Sequence, residues 1–513
     1  MLTFGNVMRQ NASKYKDKSA VIFQEKTLTY GELNAKANQL ANAFLKEGYK
    51  KGDKVAVLMR NHGAYVDIMV GLSKIGVVIV PINYRLIGSE MEYIIRNSDS
   101  KGIIFTAEYA DEVSHLLPHL PQLENAIVVG DAENDEMINY DTFIQSSPDV
   151  DPDVTVNEED PFYMGYTSGT TGKPKGVVIS HRSRILTGMA AAYEYKIDES
   201  DIHLVGGPIY HAAPWIFVVM QLLVGGTLVI HESFRAEEVL ADIDKYKITN
   251  TFLTPTSYNF LVNTDINIKE KYDISTMRVL ISAGAPLATR TKVEILDFFP
   301  GIDLHEFYGS TESAITLNIK PKDITQKDRS VGQPFPLVEC LILDDKQEPV
   351  KQGEIGELYF KAPYLLDEYY KNPEETAASF YKDYFTTGDM AMQDEEGFYY
   401  VVDRKKDMLI SGGVNIYPRE VEEVLYQHPG ILDVAVIGIP DPVWGESVNA
   451  IVVTREKVAL TEEEVIHFCK DKLASYKKPK YVDFVDELPR NPSGKLLKTQ
   501  LREQYWQGEG SKV

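Results

Sequence analysis

Residues 166–176 read YTSGTTGKPKG, with four Ser or Thr hydroxyls, three glycines, two lysines and no acid in eleven positions. Hydroxyls and ammonium groups donate hydrogen bonds, and glycine lets backbone N–H groups close on a ligand. A concave, donor-rich loop of this kind suits an anion with many oxygens, above all a polyphosphate. A flexible Ser/Gly linker has a similar composition. Here, however, an apolar run (Val177, Val178, Ile179) follows at once, Pro174 stiffens the loop, and residues 161–165 before it are compact and aromatic. The Walker phosphate loop needs G-x-x-x-x-G-K-[ST]. Gly169 and Gly172 stand too close for it, and Lys173 is followed by Pro174. The loop is therefore expected to hold phosphate in a different manner.

Other chemistry-bearing residues also come in short strings: PIYHAAPW (208–215), EFYGSTE (306–312), TTGD (386–389), DRKKD (403–407), SGG (411–413) and NPSGK (491–495). The formal net charge of −23 over 513 residues argues against nucleic acid as a partner, because binding it needs a basic surface. The charge leaves room for a small anionic substrate, since local charge decides there. Cys340 and Cys469 lie far apart without a CxxC pair, which argues against a zinc site or a disulfide framework. The opening residues carry no secretion signal. Residues 215–230 are the most apolar stretch, yet they contain Gln221 and Gly225-Gly226 and fall short of the ~20 residues that span a bilayer. They read as a buried helix, a Gly-Gly turn and a strand over 228–230. A cytoplasmic protein is expected, with no transmembrane segment. A transient contact with a membrane surface and a homodimer both stay open.

The elements that must position these strings alternate between strand and helix. Thr29 and Glu32 form a capping box, and the helix behind it carries Leu33, Ala37, Leu40, Ala41, Phe44 and Leu45 on one face. Strands are expected at 55–58, 77–80, 103–105, 126–129, 177–179 and 279–282. This is the rhythm of an α/β protein with parallel sheets covered by helices. The pattern changes at Asp403. A charged segment and a glycine pair precede two apolar strands, at 434–439 and 450–453, and a helix starting near Thr461. A domain boundary is placed at Asp403, and the residues beyond it suffice for a small domain.

The loop, EFYGSTE, TGD, DRKKD and NPSGK occur in that order, and together they resemble the adenylate-forming superfamily of acyl-CoA synthetases, luciferases and peptide-synthetase adenylation domains. The resemblance covers nearly the whole chain and is nearest to the fatty-acid–CoA ligases. It implies a large N-terminal domain (1–402) of helix-covered, mostly parallel sheets with a small β-barrel-like part. A smaller, mobile α+β C-terminal domain (403–513), hinged at Asp403, would follow. It also implies that Thr167, Ser168, Gly169, Thr170, Thr171, Gly172, Lys173 and Lys175 hold the phosphates of ATP, and that Thr167 and Glu312 approach Mg2+, a hard cation suited to oxygen ligands. Ala283, Gly284, Ala285 and the run Glu306, Phe307, Tyr308, Gly309, Ser310, Thr311 would hold the nucleotide, with Tyr308 along the adenine ring. Asp389 would accept hydrogen bonds from the ribose, with Arg404 near it. Lys495 would stand between the attacking carboxylate and the α-phosphate and offset their repulsion. In a second step the C-terminal domain would turn, withdraw Lys495 and present Ser411, Gly412, Gly413 and Asn415 to coenzyme A. The cluster Lys470, Lys472, Lys477, Lys478 and Lys480 would meet its phosphates, although such clusters also occur as plain solvated surface.

Amino-acid-activating relatives carry an Asp in the neighbourhood of PIYHAAPW as partner for the substrate amine. His211 stands there instead, so an α-amino acid is disfavoured. His211 and Trp215 resemble the aromatic gate and pocket wall of fatty- and aryl-CoA synthetases, and a hydrogen-bonded core histidine is the plain alternative. The expected activity is an acid–CoA ligase acting on a medium- or long-chain fatty acid, with Lys495, His211 and Glu312 as the catalytic set. An aryl-acid ligase, a carrier-protein-loading enzyme and a non-catalytic nucleotide sensor are the alternatives.

Overall fold

In the computed structural model, the described residues are 2–132, 134, 136–167, 173–405, 407–412, 414–455, 458–470, 472–490 and 496–506. The chain falls into two compact units, one of residues 1–340 and 360–385, the other of residues 341–359 and 386–513. Asp403 lies within the second unit, in strand Tyr399–Arg404.

The first unit is built on two large sheets. Five strands of the first run parallel side by side, in the order Asp303–Ser310, Val279–Ser282, Asn250–Leu253, Ile202–Val205 and Thr227–Ile230, and Ser19–Phe23 continues them beyond Thr227–Ile230. The second centres on Lys54–Leu58, flanked in parallel by Val78–Pro81 and Ser100–Thr106. Val78–Pro81 in turn pairs with Pro161–Thr167, which returns antiparallel as Lys175–Ser180. The α/β fold expected from the sequence is thus present, and each expected strand coincides with a strand to within a few residues. Helix Ala64–Lys74 shows why the unit needs layers. All eleven of its residues are buried, as befits a helix enclosed on every side. Its Met69, Val70 and Leu72 join Leu33, Ala37, Leu40 and Phe44 of helix Tyr30–Lys46 in one core. The Thr29–Glu32 capping box forms as read, with both reciprocal hydrogen bonds. Residues 215–230 become the end of helix Ala212–Leu223, a turn with Gly225 at φ +82°, and strand Thr227–Ile230. Among the described residues no helix is long and apolar enough to cross a membrane.

The second unit carries its own core. Strands Ile431–Asp441 and Gly445–Thr454 form a long antiparallel pair, to which Tyr481–Phe484 adds in parallel and the hairpin of Leu409–Ser411 and Val414–Ile416 in antiparallel. Helices Pro418–Leu425 and Glu462–Phe468 supply Val421, Leu425 and Val465 to the core against Val434, Val436, Ala450 and Val452.

Candidate active site

In the first unit the site residues gather at the C-terminal ends of neighbouring parallel strands, the edge at which α/β sheets place ligands. Ser282, the last residue of its strand, lies opposite Glu306 and opposite Leu253. The turn Ala283, Gly284, Ala285 therefore leaves the sheet beside Tyr308. Gly284 has φ +91°, and a side chain there would meet nothing nearer than Thr254 Cγ2 at 3.9 Å. The glycine is needed for the backbone angle, and the surface around it is open. Glu306 does not present its carboxylate to this opening. Its Oε1 accepts from the Leu287 N–H at 2.8 Å, and its Oε2 pairs with Lys292 Nζ at 2.7 Å, both residues being buried. It moors the 283–287 turn. Phe307 points into the core, 5.9 Å from Phe217 and 5.8 Å from Phe252 between ring centroids. Tyr308, the next residue, alternates to the other face and is half-buried, with its ring 6.0 Å from Phe360.

A bulge follows Tyr308. A Cβ on Gly309 would stand 1.7 Å from the Ala314 carbonyl oxygen, while Ala314 itself has φ +56°. This tight reversal, with Ser313 donating its N–H to Ser310 Oγ at 3.1 Å, carries Thr311 and Glu312. Glu312 is nearly buried. Its Oε1 accepts from Tyr369 Oη at 3.1 Å and from Thr167 Oγ1 at 3.4 Å, so Thr167 and Glu312 do come together. Burial and the Glu312 charge both push the Tyr369 phenol upward, and it stays a donor.

Thr167 ends its strand opposite Lys175, so residues 168–174 join an antiparallel pair. Ser168, Gly169, Thr170, Thr171 and Gly172 lie outside the described residues. Lys173 is exposed over the Tyr93 ring at 5.7 Å. Lys175 forms an ion pair with Glu375 and lies 5.5 Å from the centre of the Tyr369 ring. Tyr369, Glu375 and Lys292 were missed by the sequence reading. Their signal was weak, because each acts through a partner at least fourteen positions away.

His211 caps no helix with its side chain, but its backbone starts helix Ala212–Leu223. It is half-buried, with its ring 4.2 Å from Tyr210, which meets Tyr84 edge-on at 5.3 Å. Burial, helped by the Arg85 charge, pulls its imidazole down to about 4, so it is neutral near pH 7. Trp215 differs from its expected role as a pocket wall. It is fully buried, packed against Tyr163 at 5.0 Å, Tyr65 at 5.8 Å and Phe162 at 6.0 Å. One turn along the helix from His211, it faces the core.

The second unit holds the remaining residues. Asp389 lies directly across from Arg404 on the paired strands Tyr384–Gln393 and Tyr399–Arg404. Its Oδ1 is 3.3 Å from Arg404 Nε, and its Oδ2 accepts from Thr387 Oγ1 at 2.5 Å. Asp403 is buried. Its carboxylate accepts the Arg404 N–H at 2.7 Å and the Arg419 N–H at 2.8 Å, capping helix Pro418–Leu425 from a distant strand. Burial pushes its pKa above the ordinary carboxylate value, against the pull of Lys498. Ser411 and Asn415 sit on the two arms of the hairpin, and Gly412 turns it at φ +59° beneath Trp444, where a Cβ would stand 2.7 Å from the indole. Gly413 and Lys495 lie outside the described residues. Of the basic cluster, Lys477 is held by both Glu420 oxygens at 2.7 Å and Lys480 by Asp441 at 2.6 Å. These two are tied up within the unit.

Comparison with known proteins decides the family. The profile of the AMP-binding enzymes matches residues 8–370, and that of the AMP-binding enzyme C-terminal domain matches residues 420–495. The chain belongs to the AMP-binding enzymes. It is an ATP-dependent, AMP-forming ligase of the acyl- and aryl-CoA synthetase group. It is 35% identical to a feruloyl-CoA synthase of Amycolatopsis sp. over 93% of this chain and 94% of that one. It is likewise 35% identical to the long-chain-fatty-acid–CoA ligase FadD13 of Mycobacterium tuberculosis, over 93% of each. Among solved structures it resembles the anthranilate CoA ligase AuaEII in complex with anthranoyl-AMP, with a TM-score of 0.87 at 27% identity over 98% of this chain and 97% of that one.

Proposed function

We propose that this AMP-binding enzyme joins a carboxylic acid of largely apolar body, a medium- or long-chain fatty acid in the first instance, to coenzyme A in two steps. The acid attacks the α-phosphate of ATP, giving an acyl-adenylate and pyrophosphate. The thiol of coenzyme A then displaces AMP. The observation that carries the reading is the contact of Thr167, at the end of a strand of one sheet, with Glu312, just beyond the strand of the other sheet that carries Tyr308 beside the 283–285 turn. The open turn at Gly284 and the half-exposed Tyr308 ring suit a flat base between them. The donor set at Glu312 suits Mg2+. A carboxylate and a hydroxyl are hard oxygen ligands, and Glu312 Oε2 makes no hydrogen bond among the described residues. Phosphate oxygens and water would complete the shell, since the described residues hold no cluster of three metal-ligating side chains. When bound, the ion neutralises phosphate charge. Thr167 and Glu312 would orient it, and Lys495 would supply the cation at the reacting centre.

An aryl acid is the second reading, and a specific feature favours it. Tyr84 and Tyr210, in edge-on contact 5.3 Å apart, stand beside the neutral His211 and form an aromatic wall. No described acidic side chain contacts His211, as suits a substrate without an amine. Mobility about Asp403 and the presentation of Ser411, Gly412, Gly413 and Asn415 to coenzyme A belong to the same proposal. Pyrophosphate release with ATP and a panel of alkyl and aryl acids, scored by kcat/KM, tests it. A carrier protein in place of coenzyme A separates the two acceptors. Release of no pyrophosphate with any acid would overturn the reading in favour of a nucleotide sensor.

A further inference from the structure

The second unit contains a buried charge cluster that the proposed chemistry does not use. Lys498, with only 12% of its side chain exposed, pairs at 2.7 Å with Glu422, which is equally buried. Glu422 Oε1 also accepts the Val436 N–H at 2.8 Å, fixing it to strand Ile431–Asp441. The charges of Asp403 and Asp407 act on Lys498 as well. Four residues further on, Arg502 grips Asp407 twice, through its carboxylate at 2.9 Å and its carbonyl at 3.2 Å. Lys498 opens helix Lys498–Glu503 and stands three positions after Lys495. Residues 491–495 lie outside the described chain, but both flanks are held. Arg490 bridges Leu496, the Leu497 N–H donates to the Pro489 carbonyl at 2.9 Å, and Arg490 pairs with Asp433 at 2.6 Å.

The helix does not need this cluster in order to dock. Leu501 is buried with Ala435, Ile437, Ile451, Val453 and Leu488, and that apolar contact alone would seat it. A buried ion pair is a weak stabiliser, because desolvation offsets much of the attraction, and an apolar pair of similar volume often does as well. What charge pairs add is direction, since they fix the register of a helix that apolar packing leaves free to slide. We propose that Lys498 is a positioning residue for the adenylating step: paired with Glu422, it ties the segment that follows Lys495 to helix Pro418–Leu425 and, through the Val436 N–H, to strand Ile431–Asp441. The placement of Lys495 is thereby linked to the helix that Asp403 caps. Lys498 touches no substrate, and its effect passes through Lys495. The proposal rests on the assignment of adenylation to Lys495.

The test uses the full-length protein in three variants, Lys498→Met, Lys498→Arg and the double variant Lys498→Met with Glu422→Leu. Each is measured for ATP–pyrophosphate exchange, for thioester formation from supplied acyl-adenylate, and for its thermal midpoint. Misplacement of a reacting group by about an ångström costs on the order of a hundredfold. Lys498→Met is therefore expected to lose roughly 10–100-fold in the kcat of exchange, with KM for ATP and the thioester step little changed. Lys498→Arg should regain part of the loss. The double variant should regain the melting temperature without regaining exchange. Equal loss in both half-reactions, or return of exchange together with stability in the double variant, would make the pair structural and overturn the proposal. A double variant that does not fold would overturn it in the same way. Lys495→Ala, run alongside, isolates the underlying assignment. Normal exchange in that variant removes the reading of Lys495, whatever Lys498 does.

Discussion

The two units fix their site residues by different means. In the first, Tyr308, Glu312 and the 283–285 turn ride on the ends of adjacent parallel strands, and the main-chain ladder places them. Side-chain anchoring is auxiliary there, as when Glu306 moors the turn through the Leu287 N–H. In the second, charged side chains do most of the placing. Asp403 caps a helix that begins fifteen residues later, Asp389 is locked by Arg404 across a strand pair, and Lys498 is locked by Glu422. A ladder tolerates the loss of one side chain, because its neighbours still hold the backbone. A charge network does not, because removing one partner strands the other in a buried place. Substitutions in the second unit should therefore separate the half-reactions, whereas those in the first should grade affinity.

The largest expected effect is that of Lys495→Ala. Losing one preorganised electrostatic partner of a transition state costs on the order of 10²–10³ in rate. Adenylation, read as pyrophosphate exchange, should fall by that much, while ATP binding, read by nucleotide displacement, stays near normal and supplied acyl-adenylate is still converted. Near-normal exchange would take Lys495 out of the mechanism.

Asp403→Pro comes next, and the structure sharpens it. Proline fixes φ near −65° and removes an N–H, whereas a hinge must absorb a change in backbone angle. The same substitution deletes the carboxylate that caps helix Pro418–Leu425, a loss of about 0.5–2 kcal/mol. Asp403→Asn is the control, since an amide oxygen still accepts the Arg419 N–H. With a hinge at Asp403, Asp403→Pro should adenylate and then stall by roughly tenfold or more at the thioester step, while Asp403→Asn runs both steps. Single-turnover measurement of the two steps distinguishes this from a cap alone. Parallel loss of both steps in both variants would leave only the cap.

The same contrast explains what was legible in the sequence. Strands such as Val279–Ser282, the Thr29–Glu32 capping box and the Gly-Gly turn at 225–226 were readable because each is a local pattern of two to eighteen residues. Thr167 and Glu312 were readable because they sit in compact strings, and the fold brings them to 3.4 Å. Three things were not readable. Glu306 turned inward to Lys292, because the alternation of a strand does not say which face a carboxylate will find a cation on. Trp215 went to the core because only Trp215 lies inside the helix: His211 precedes it in extended backbone, at φ −80° and ψ 145°, so the two side chains need not share surroundings. Tyr369 and Lys498 were invisible because their partners, Glu312 and Glu422, lie 57 and 76 positions away.

Tyr369→Phe probes the graded behaviour expected of the first unit. The phenol donates to the same Glu312 oxygen as Thr167, and it fixes the orientation of a carboxylate proposed to meet Mg2+. A hydrogen bond to a charged group contributes about 1.5–3 kcal/mol. The low end of that range is roughly tenfold. The Mg2+ concentration for half-maximal exchange should rise by about that factor, with kcat at saturating Mg2+ changed little. A drop in kcat that extra Mg2+ does not restore would mean that Tyr369 acts on the chemistry rather than on the ion.

The smallest effect concerns pH at His211. Its imidazole is pulled down to about 4 by burial and by Arg85, from an ordinary value near 6.5. The folded protein therefore binds fewer protons there than the unfolded chain between those two values. The sign follows: this residue makes stability fall as pH drops from about 6.5 towards 4 and contributes no slope above that. His181 and His203, lowered to about 4, and His305, lowered to about 3, act in the same direction. Replacing His211 should therefore lessen the acid sensitivity of the thermal midpoint without abolishing it. In the proposed reaction the neutral ring would serve only as a wall of the acid site. Across pH 5–8, kcat/KM for the best acid should keep the same profile in wild type and in His211→Ala, even as the order of preference among alkyl and aryl acids changes. An inflection near pH 6.5 that is present in wild type and missing in His211→Ala would show that the ring titrates in the working range. It would then be an acid–base group, and a His211 held neutral across that range would be wrong.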